Sequence, residues 1–538
     1  MLKTGNSVWD VYKKLKGERN AMGNWLPNCD PDNSVESILE NIKTNIDSSF
    51  NQKTNIPMQC FPFMTPFQFK EAEIHDMLRK ISPSKSSGPD EIPSKVWSLF
   101  ADDIVKPLTA IFNVCVQVAD LPVKWKMANI VPLPKTSPPN LTALRPISLL
   151  SMPERIFEKC LLKRIKAEFL LKFDNQQYAY RPNSSTICAL IDLEDYLKRS
   201  LDNADIIACH ALSIDLLKGF DRVPHDILIN RMIQDDFSGF TITFVRNYLQ
   251  QRSFKVKWKD KRSVVSMIPS GIPQGSSLGP LLFGYFISDL TISNTSGVQD
   301  SMIFKYADDI FISCTIRRGD SSSNLAKTYE SIIDWTQKSY MDIKEEKCQQ
   351  MLFTLSRSFS PEQFALPNIP VVNSMKILGI TFECNLKWNL HFNHICKRAS
   401  SRLYVIRQLR DYLPTSELTL VYQNCIRSLL EYGAPLFSDL PRKLVIKLEQ
   451  IQRRAHFVIC NTHDCECLNF VPLEYRRTIL SFKLFESILG NNEHILHHLL
   501  PSVMPYSGKF RIPISRTALR SKCFIIQMSR LHNSNFTL

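Results

Sequence analysis

No apolar run in this sequence approaches the roughly 20 residues that a bilayer-crossing helix needs, so no membrane-spanning segment is expected. No secretory signal is visible either, since residues 1–20 are polar and lysine-bearing. The 15 cysteines are odd in number and scattered, with no CxxC pair. They read as free thiols of a reducing compartment, not as a disulfide framework. The expected location is nuclear or cytoplasmic, without a membrane partner. Cys460, His463, Cys465 and Cys467, with His494, His497 and His498 further on, match no zinc spacing, because a single residue separates Cys465 from Cys467.

What is present is an ordinary globular composition with an excess of positive charge. The 538 residues suffice for two or three domains, and 44% are hydrophobic against 22% charged. Lys and Arg number 66 and Asp and Glu 52, a net charge of +14. That balance favours a polyanionic partner, nucleic acid ahead of an anionic membrane. It is concentrated between Lys397 and Arg454, where eleven Lys and Arg face five Asp and Glu. The stretch 390–459 is otherwise patterned as helices, which suits a helical lobe lying on a phosphate backbone.

Two acidic stretches stand out. Residues 302–306 and 310–312 are short, β-branched and aromatic runs on either side of Asp308-Asp309. They predict two strands with both aspartates in the tight turn between them, at the lip of a sheet. Adjacent like charges there repel and a divalent cation relieves them; Asp is also a common turn residue. The other acid, Asp215, ends a predicted strand over 206–214. A turn at 216–221 follows, with Phe220 and a possible helix-entry residue, Asp221, and then a helix over 224–232.

Several further stretches carry a bland reading beside a chemical one. Residues 82–90, rich in Ser, Pro and Gly with one cation, Lys85, are a surface turn or a phosphate-touching loop. The stretches 125–135 and 144–150 predict a two-stranded ribbon with Lys135 near one end and Arg145 near the other. These are two solvated charges or two cations for a triphosphate. Gln177-Tyr178-Ala179-Tyr180-Arg181 is a packed corner or a stacking surface for unpaired bases. Residues 270–280 form a Gly/Pro loop opening an apolar helix, able to cradle a nucleotide on exposed N–H groups. Helices are expected over 34–50, 67–81, 153–172 and 325–340, and 375–382 reads as a strand with a glycine kink.

Taken in order, these stretches resemble the reverse transcriptase of non-LTR, LINE-type retrotransposons, nearest to the jockey-like elements. The matching pieces are Lys85-Ser86-Ser87-Gly88-Pro89-Asp90, residues 125–135, Leu144-Arg145-Pro146-Ile147-Ser148-Leu149, residues 177–181, residues 215–221, Gly271-Ile272-Pro273-Gln274-Gly275-Ser276, Tyr306-Ala307-Asp308-Asp309, and Leu378-Gly379-Ile380 with Leu386, Trp388 and His391. They cover about residues 67–400, and 422–454 is similar to the family's thumb.

The resemblance implies an α+β right-hand polymerase fold: fingers, a palm with an antiparallel sheet, and a helical thumb. It implies extension of a DNA primer 3′-hydroxyl on an RNA template by two-metal phosphoryl transfer from dNTPs. Two Mg²⁺ ions, with Mn²⁺ as a substitute, would be held by Asp215, Asp308, Asp309 and the Leu216 carbonyl. Lys135 and Arg145 would hold the triphosphate, Phe220 would crowd the 2′ position, and Gln274 and Gly275 would line the nascent base pair and template. Arg181 and Tyr306 would touch template or primer, and Lys347 is a candidate proton donor to pyrophosphate. The implied partners are template RNA, primer or target DNA, and dNTPs. The reading from another class is a catalytically silent, nucleic-acid-binding remnant.

The implied division is an N-terminal extension or linker at 1–66, fingers and palm at 67–395, a thumb at 396–462 and a tail region at 463–538. Residues 1–65 are too short for the endonuclease that precedes the polymerase in the family, and no RNase H acidic pattern is evident. Gly219, Ala179, Lys344 and Glu383 depart from the family's usual Ala, Gly, Asn and Asp, and none of these removes a metal ligand.

Overall fold

The strands follow the apolar runs. The computed structural model describes residues 35–50, 61, 66–135, 144–258, 261–292, 301–356, 359, 361–460, 470–534 and 536. Its strands are β1 (Met127–Pro134), β2 (Leu144–Leu149), β3 (Ile206–Asp215), β4 (Ser253–Trp258), β5 (Lys261–Arg262), β6 (Ser266–Met267), β7 (Ser301–Tyr306), β8 (Asp309–Arg317), β9 (Gln349–Phe353), β10 (Ser374–Ile377) and β11 (Ile380–Glu383).

An antiparallel sheet in the order β7-β8-β3-β9 lies at the centre. Its strands are buried at nearly every interior position because both faces are covered. Leu212, Ile214, Ile303, Ile310 and Ile312 point into one core, and Cys209, Ala211, Met302, Phe304 and Phe311 into a second. The period of two along each strand sorts neighbouring side chains between the two cores. The first core is closed by helices that include Met152–Leu170, Gly239–Leu249 and Gly279–Ser288. The second is closed by Thr186–Asp202 and the C-terminal helices.

A second sheet, β2-β1-β4-β5 with β6 on β4, stands beside the first core. The expected ribbon is present as antiparallel β1 and β2, although Trp125 and Lys126 belong to a 3₁₀ turn, Val123–Lys126, that precedes it. Leu133 pairs with Arg145 and Pro134 with Leu144, so Lys135 and Arg145 leave the same end of the ribbon. The sequence expectation put them at opposite ends; both in fact flank the one connection between two antiparallel strands. The amphipathic helix Val35–Asp47 with its 3₁₀ extension Ser48–Phe50 buries Leu39, Ile42, Ile46 and Phe50 against Phe254, Val256 and Trp258 of β4.

Three further expectations shift locally. The helix after Phe67 is Glu71–Arg79, with Phe67 and Ile81 outside it. Residues 219–222 form one helical turn, Gly219–Arg222, entered through Lys218 at φ 50°. The 375–382 stretch is a hairpin rather than a kinked strand: β10 and β11 pair through Leu378 and Gly379, both at positive φ, as a two-residue type I′ turn requires.

The C-terminal lobe is helical, with Asn389–Leu409, Thr415–Tyr422, a π segment Gln423–Arg427, Ser428–Glu431 and Arg442–Cys460. The tail helices Leu473–Leu489 and Phe524–Asn533 pack into the same core. Arg520 pairs with Asp195 at 2.5 Å, and Thr517 donates to Asp202, tying the tail to the helix Thr186–Asp202. Among the described residues no helix is long and apolar enough to cross a membrane. His463, Cys465 and Cys467 lie outside the described residues; His498 faces Asp192 at 3.4 Å. The described residues form an α+β arrangement: a central antiparallel sheet, a second sheet beside it and a helical C-terminal lobe.

Candidate active site

The acidic lip is built by strand register. β3 ends at Asp215, as its sequence predicted, and Asp215 is paired directly with Asp309, the first residue of β8. Asp309 also faces Tyr306 across the hairpin, so only Ala307 and Asp308 make the turn. The expectation that both aspartates sit in the turn thus holds for Asp308 alone. Asp309 is lifted into the ladder, which aims it at Asp215. Partial desolvation by the surrounding protein, followed by repulsion from Asp308 and Asp215, pushes its carboxyl up to about 6 although its side chain still reaches solvent.

Cations answer this charge. Lys347, in the 3₁₀ turn Glu345–Lys347, donates to Asp215 Oδ2 at 2.6 Å. Backbone bonds fix that approach: the Lys344 N–H donates to the Asp215 carbonyl and the Leu217 N–H to the Asp342 carbonyl, both at 2.8 Å, with Leu216 bridged to Ile343 between them. Lys135 lies within electrostatic reach of Lys347, Arg145, Asp221 and Asp215, and burial followed by the two cations lowers its pKa. Arg145 in turn acts on Asp309. Three cations and three carboxylates from five separate stretches therefore share one cleft.

The one-turn helix Gly219–Arg222 forms the floor. Phe220 stacks on Phe283, ring centroids 4.3 Å apart at 14°. Asp221, read above as a possible helix-entry residue, is buried instead and accepts from Gln274 Nε2 at 2.6 Å. Burial raises its carboxyl to about 6. Gly271 is at φ +83°, and a Cβ there would lie 2.3 Å from the Asp221 carbonyl oxygen, so only glycine lets the loop press on this turn. The Gln274 carbonyl accepts from the Ser148 N–H of β2 at 2.8 Å.

The aromatic stretch runs alongside the sheet edge. The Lys305 N–H donates to the Gln176 carbonyl and the Tyr178 N–H to the Lys305 carbonyl, at 2.8 and 2.9 Å. Tyr180, at φ 66°, comes within reach of Asp308, a neighbour that the sequence offered no means of seeing. Arg181 turns elsewhere. It donates to the Asp174 carbonyl at 2.9 Å and lines a cavity of about 630 Å³ with Asp192, Arg199, His494, His497 and His498. The smallness of the 82–90 loop is spent inside the fold: a Cβ on Gly88 would lie 2.5 Å from the Leu150 carbonyl oxygen.

The donor set suits a hard divalent cation, since it is made of carboxylate oxygens whose mutual repulsion is left standing. Among the described residues no three His, Cys, Asp or Glu side chains close as a ready cage. Lys347 holds the cation position on Asp215, and its side chain is 53% exposed, free to be displaced by a metal ion.

Residues 133–382 match the family model described as reverse transcriptase (RNA-dependent DNA polymerase). Over 417 residues the chain is 26% identical to the "Probable RNA-directed DNA polymerase from transposon BS" of Drosophila melanogaster, covering 74% of this chain and 45% of that protein. It is 24% identical over 489 residues to the RNA-directed DNA polymerase from mobile element jockey of the same fly, covering 84% and 52%. The chain therefore spans about half the length of the curated relatives it matches. Among solved structures, apo telomerase from Candida tropicalis aligns at a TM-score of 0.38 and 14% identity, over 70% of this chain and 64% of that one. The matched segment contains the acidic lip and every strand from β3 to β9, and over it and the flanking residues the chain is similar to the RNA-directed DNA polymerases of jockey-like, non-LTR retrotransposons.

Proposed function

We propose that the chain is an RNA-directed DNA polymerase that extends a primer 3′-hydroxyl on an RNA template. The observation that carries this reading is the register pair Asp215–Asp309 with Asp308 on the adjoining turn, inside the matched reverse transcriptase segment. Asp215, Asp308, Asp309 and the Leu216 carbonyl would supply oxygens to two Mg²⁺ ions. When bound, the ions would lower the pKa of the attacking hydroxyl and neutralise charge on the triphosphate and leaving pyrophosphate.

The protein's own groups do the rest. Lys135 and Arg145, leaving one end of the ribbon together, would hold the triphosphate from the fingers. Phe220, backed by Phe283, would fill the space a 2′-hydroxyl needs. Gln274, locked to Asp221, would present the loop to the nascent base pair, with Gly275 and Tyr306 against the template and primer strands. Lys347, once displaced from Asp215, would pass a proton to pyrophosphate; its bond to Asp215 supports that reading. Arg181 would meet the template farther out.

Template RNA, primer or target DNA and dNTPs are the proposed partners, and the nucleus or cytoplasm the proposed location. The proposed division keeps fingers and palm at 67–395, the thumb at 396–462 and the tail at 463–538, with the helix Asn389–Leu409 carrying the palm–thumb join. The test is Mg²⁺-dependent incorporation of dTTP on poly(rA)/oligo(dT). Asp308→Ala should reduce it by about a thousandfold, the several kcal/mol that a metal ligand supplies. Salt-sensitive binding of primer-template by the wild-type chain without incorporation would reject the reading in favour of a silent binding protein.

A further inference from the structure

The loop that lines the proposed nucleotide site is held from behind by a buried ionic group. Glu154 and Glu158 stand one turn apart in the helix Met152–Leu170, and both are fully buried. Facing them are Tyr248, in the helix Gly239–Leu249, and Arg252 just beyond it. Arg252 donates to Glu154 Oε1 at 2.7 Å and to the Tyr248 carbonyl at 3.1 Å, and its guanidinium lies 4.7 Å from the Tyr248 ring centroid. The Tyr248 hydroxyl donates to Glu158 Oε1 at 2.6 Å. The other oxygen, Oε2, accepts from the Ser277 N–H at 2.5 Å. Such groups are costly to bury, and a well-packed apolar cluster would hold two helices together at least as well. What the carboxylate adds is a directional bond to one backbone amide of a loop.

Ser277 lies two residues after Gly275. The start of the loop is tied to the turn beneath it: the Gly271 N–H donates to the Val223 carbonyl and the Ile272 N–H to the Phe220 carbonyl, both at 2.8 Å. Its middle is tied to β2 through Ser148 and to Asp221 through the Gln274 side chain. The end of the loop is tied to the helix layer behind it through Glu158, and Ser276 Oγ then caps the Gly279 N–H at 2.7 Å as the next helix begins.

We propose that Glu158 is a positioning residue of the nucleotide site: held by Tyr248 and backed by the Glu154–Arg252 pair, it clamps the Ser277 N–H and so sets where Gln274 and Gly275 stand against the incoming base pair. This rests on the polymerase reading for its consequence, not for its geometry. Both Glu158 oxygens accept, so either side can be cut separately.

Hydrogen exchange of the Ser277 amide in the full wild-type chain tests the clamp without any activity. Exchange should be slower than that of a free loop amide by about a hundredfold or more; exchange at the free rate overturns the proposal. Steady-state kinetics test the consequence. Glu158→Ala should raise the dNTP KM about tenfold with kcat changed less than about threefold, and Glu158→Gln, which keeps an acceptor oxygen, should restore KM to within about twofold of wild type. Tyr248→Phe, which loosens Glu158 but leaves its bond to the Ser277 N–H in place, should lower Tm and raise KM by no more than about twofold, well short of Glu158→Ala. Equal KM increases in Tyr248→Phe and Glu158→Ala, or an unchanged KM in a folded Glu158→Ala chain, overturn it. If Glu158→Ala does not fold, Ser277→Pro, which removes the N–H donor while also fixing φ at that position, should raise KM at least as much, and an unchanged KM there is equally fatal. A wild-type chain that incorporates nothing refutes the polymerase reading, and the amide exchange still decides the clamp.

Discussion

Phe220 and Asp221 are adjacent in sequence and do opposite things. The Phe220 ring is half-buried and stacked flat on Phe283, so in the proposed site it would form a wall that cannot easily swing aside. Phe220→Ala should therefore admit ribonucleotides: the ratio of kcat/KM for dNTP over rNTP should fall on the order of 10- to 100-fold, as expected when a steric contact worth a few kcal/mol is removed. An unchanged ratio would show that another group guards the 2′ position. Asp221 points into the protein, and its carboxyl is held up at about 6 against an ordinary 3.8, chiefly by burial. A raised carboxyl makes a stability contribution that is complete below 3.8 and lost as pH rises through 6. The difference corresponds to roughly 3 kcal/mol. Asp221→Asn keeps an acceptor for Gln274 and removes the charge. Its stability relative to wild type should be highest above pH 6 and the advantage should vanish by pH 4, measured as urea midpoints across that range. A pH-independent difference would show that Asp221 is not held up.

At the scale of the element, the hairpin β7–β8 carries strain at its tip. Ala307 is left-handed, at φ 58°, where a Cβ costs about 1 kcal/mol or more. Ala307→Gly should stabilise the chain by about 1 kcal/mol, read as a higher urea midpoint at constant m; no gain would mean the turn relaxes around alanine. The hairpin β10–β11 has a similar tip at Leu378 and Gly379, but there the helical lobe intervenes. The Tyr432 hydroxyl donates to the Leu378 carbonyl at 2.6 Å and the ring lies against Gly379. The strand expected over 375–382 was legible as extended chain, since both arms alternate apolar and polar residues. The reversal was not, because Leu378 is an unusual residue for a positive-φ turn position and only Gly379 signals one. The one-turn helix Gly219–Arg222 was hidden for a different reason: four residues are too short to show a helical period.

Across the whole molecule, charge is distributed by lobe. Lys397, Arg398, Arg407, Lys443, Lys447, Arg453 and Arg454 are all exposed on the helical lobe. Their apolar neighbours Leu403, Ile406, Leu448, Ile451 and Ala455 form its core. If this surface lies on the phosphates of a primer-template, replacing Arg453 and Arg454 together by Ser should weaken binding and flatten the dependence of log K on log salt by about 1 to 2, the counterions two cations would release. Binding with an unchanged slope would move the nucleic acid to another face.

Local pattern determined a great deal here. A run of β-branched and aromatic residues punctuated by an acid announces a strand with a carboxylate at its end, and β3 ends at Asp215 as that rule requires. The order of the stretches along the chain was enough to point to the reverse transcriptases that the comparisons also match. Tertiary structure alone decided which ends meet. It set Asp309 opposite Asp215, brought Lys135 and Arg145 to one end of their ribbon, turned Arg181 away into a separate cavity, put Tyr180 beside Asp308, and tied Glu158 to Ser277. A period of two or of 3.6 is written within a few residues, so it can be read directly. Register and layer contacts join positions tens to more than a hundred residues apart, and they are selected by the summed burial of both cores, which no short stretch contains.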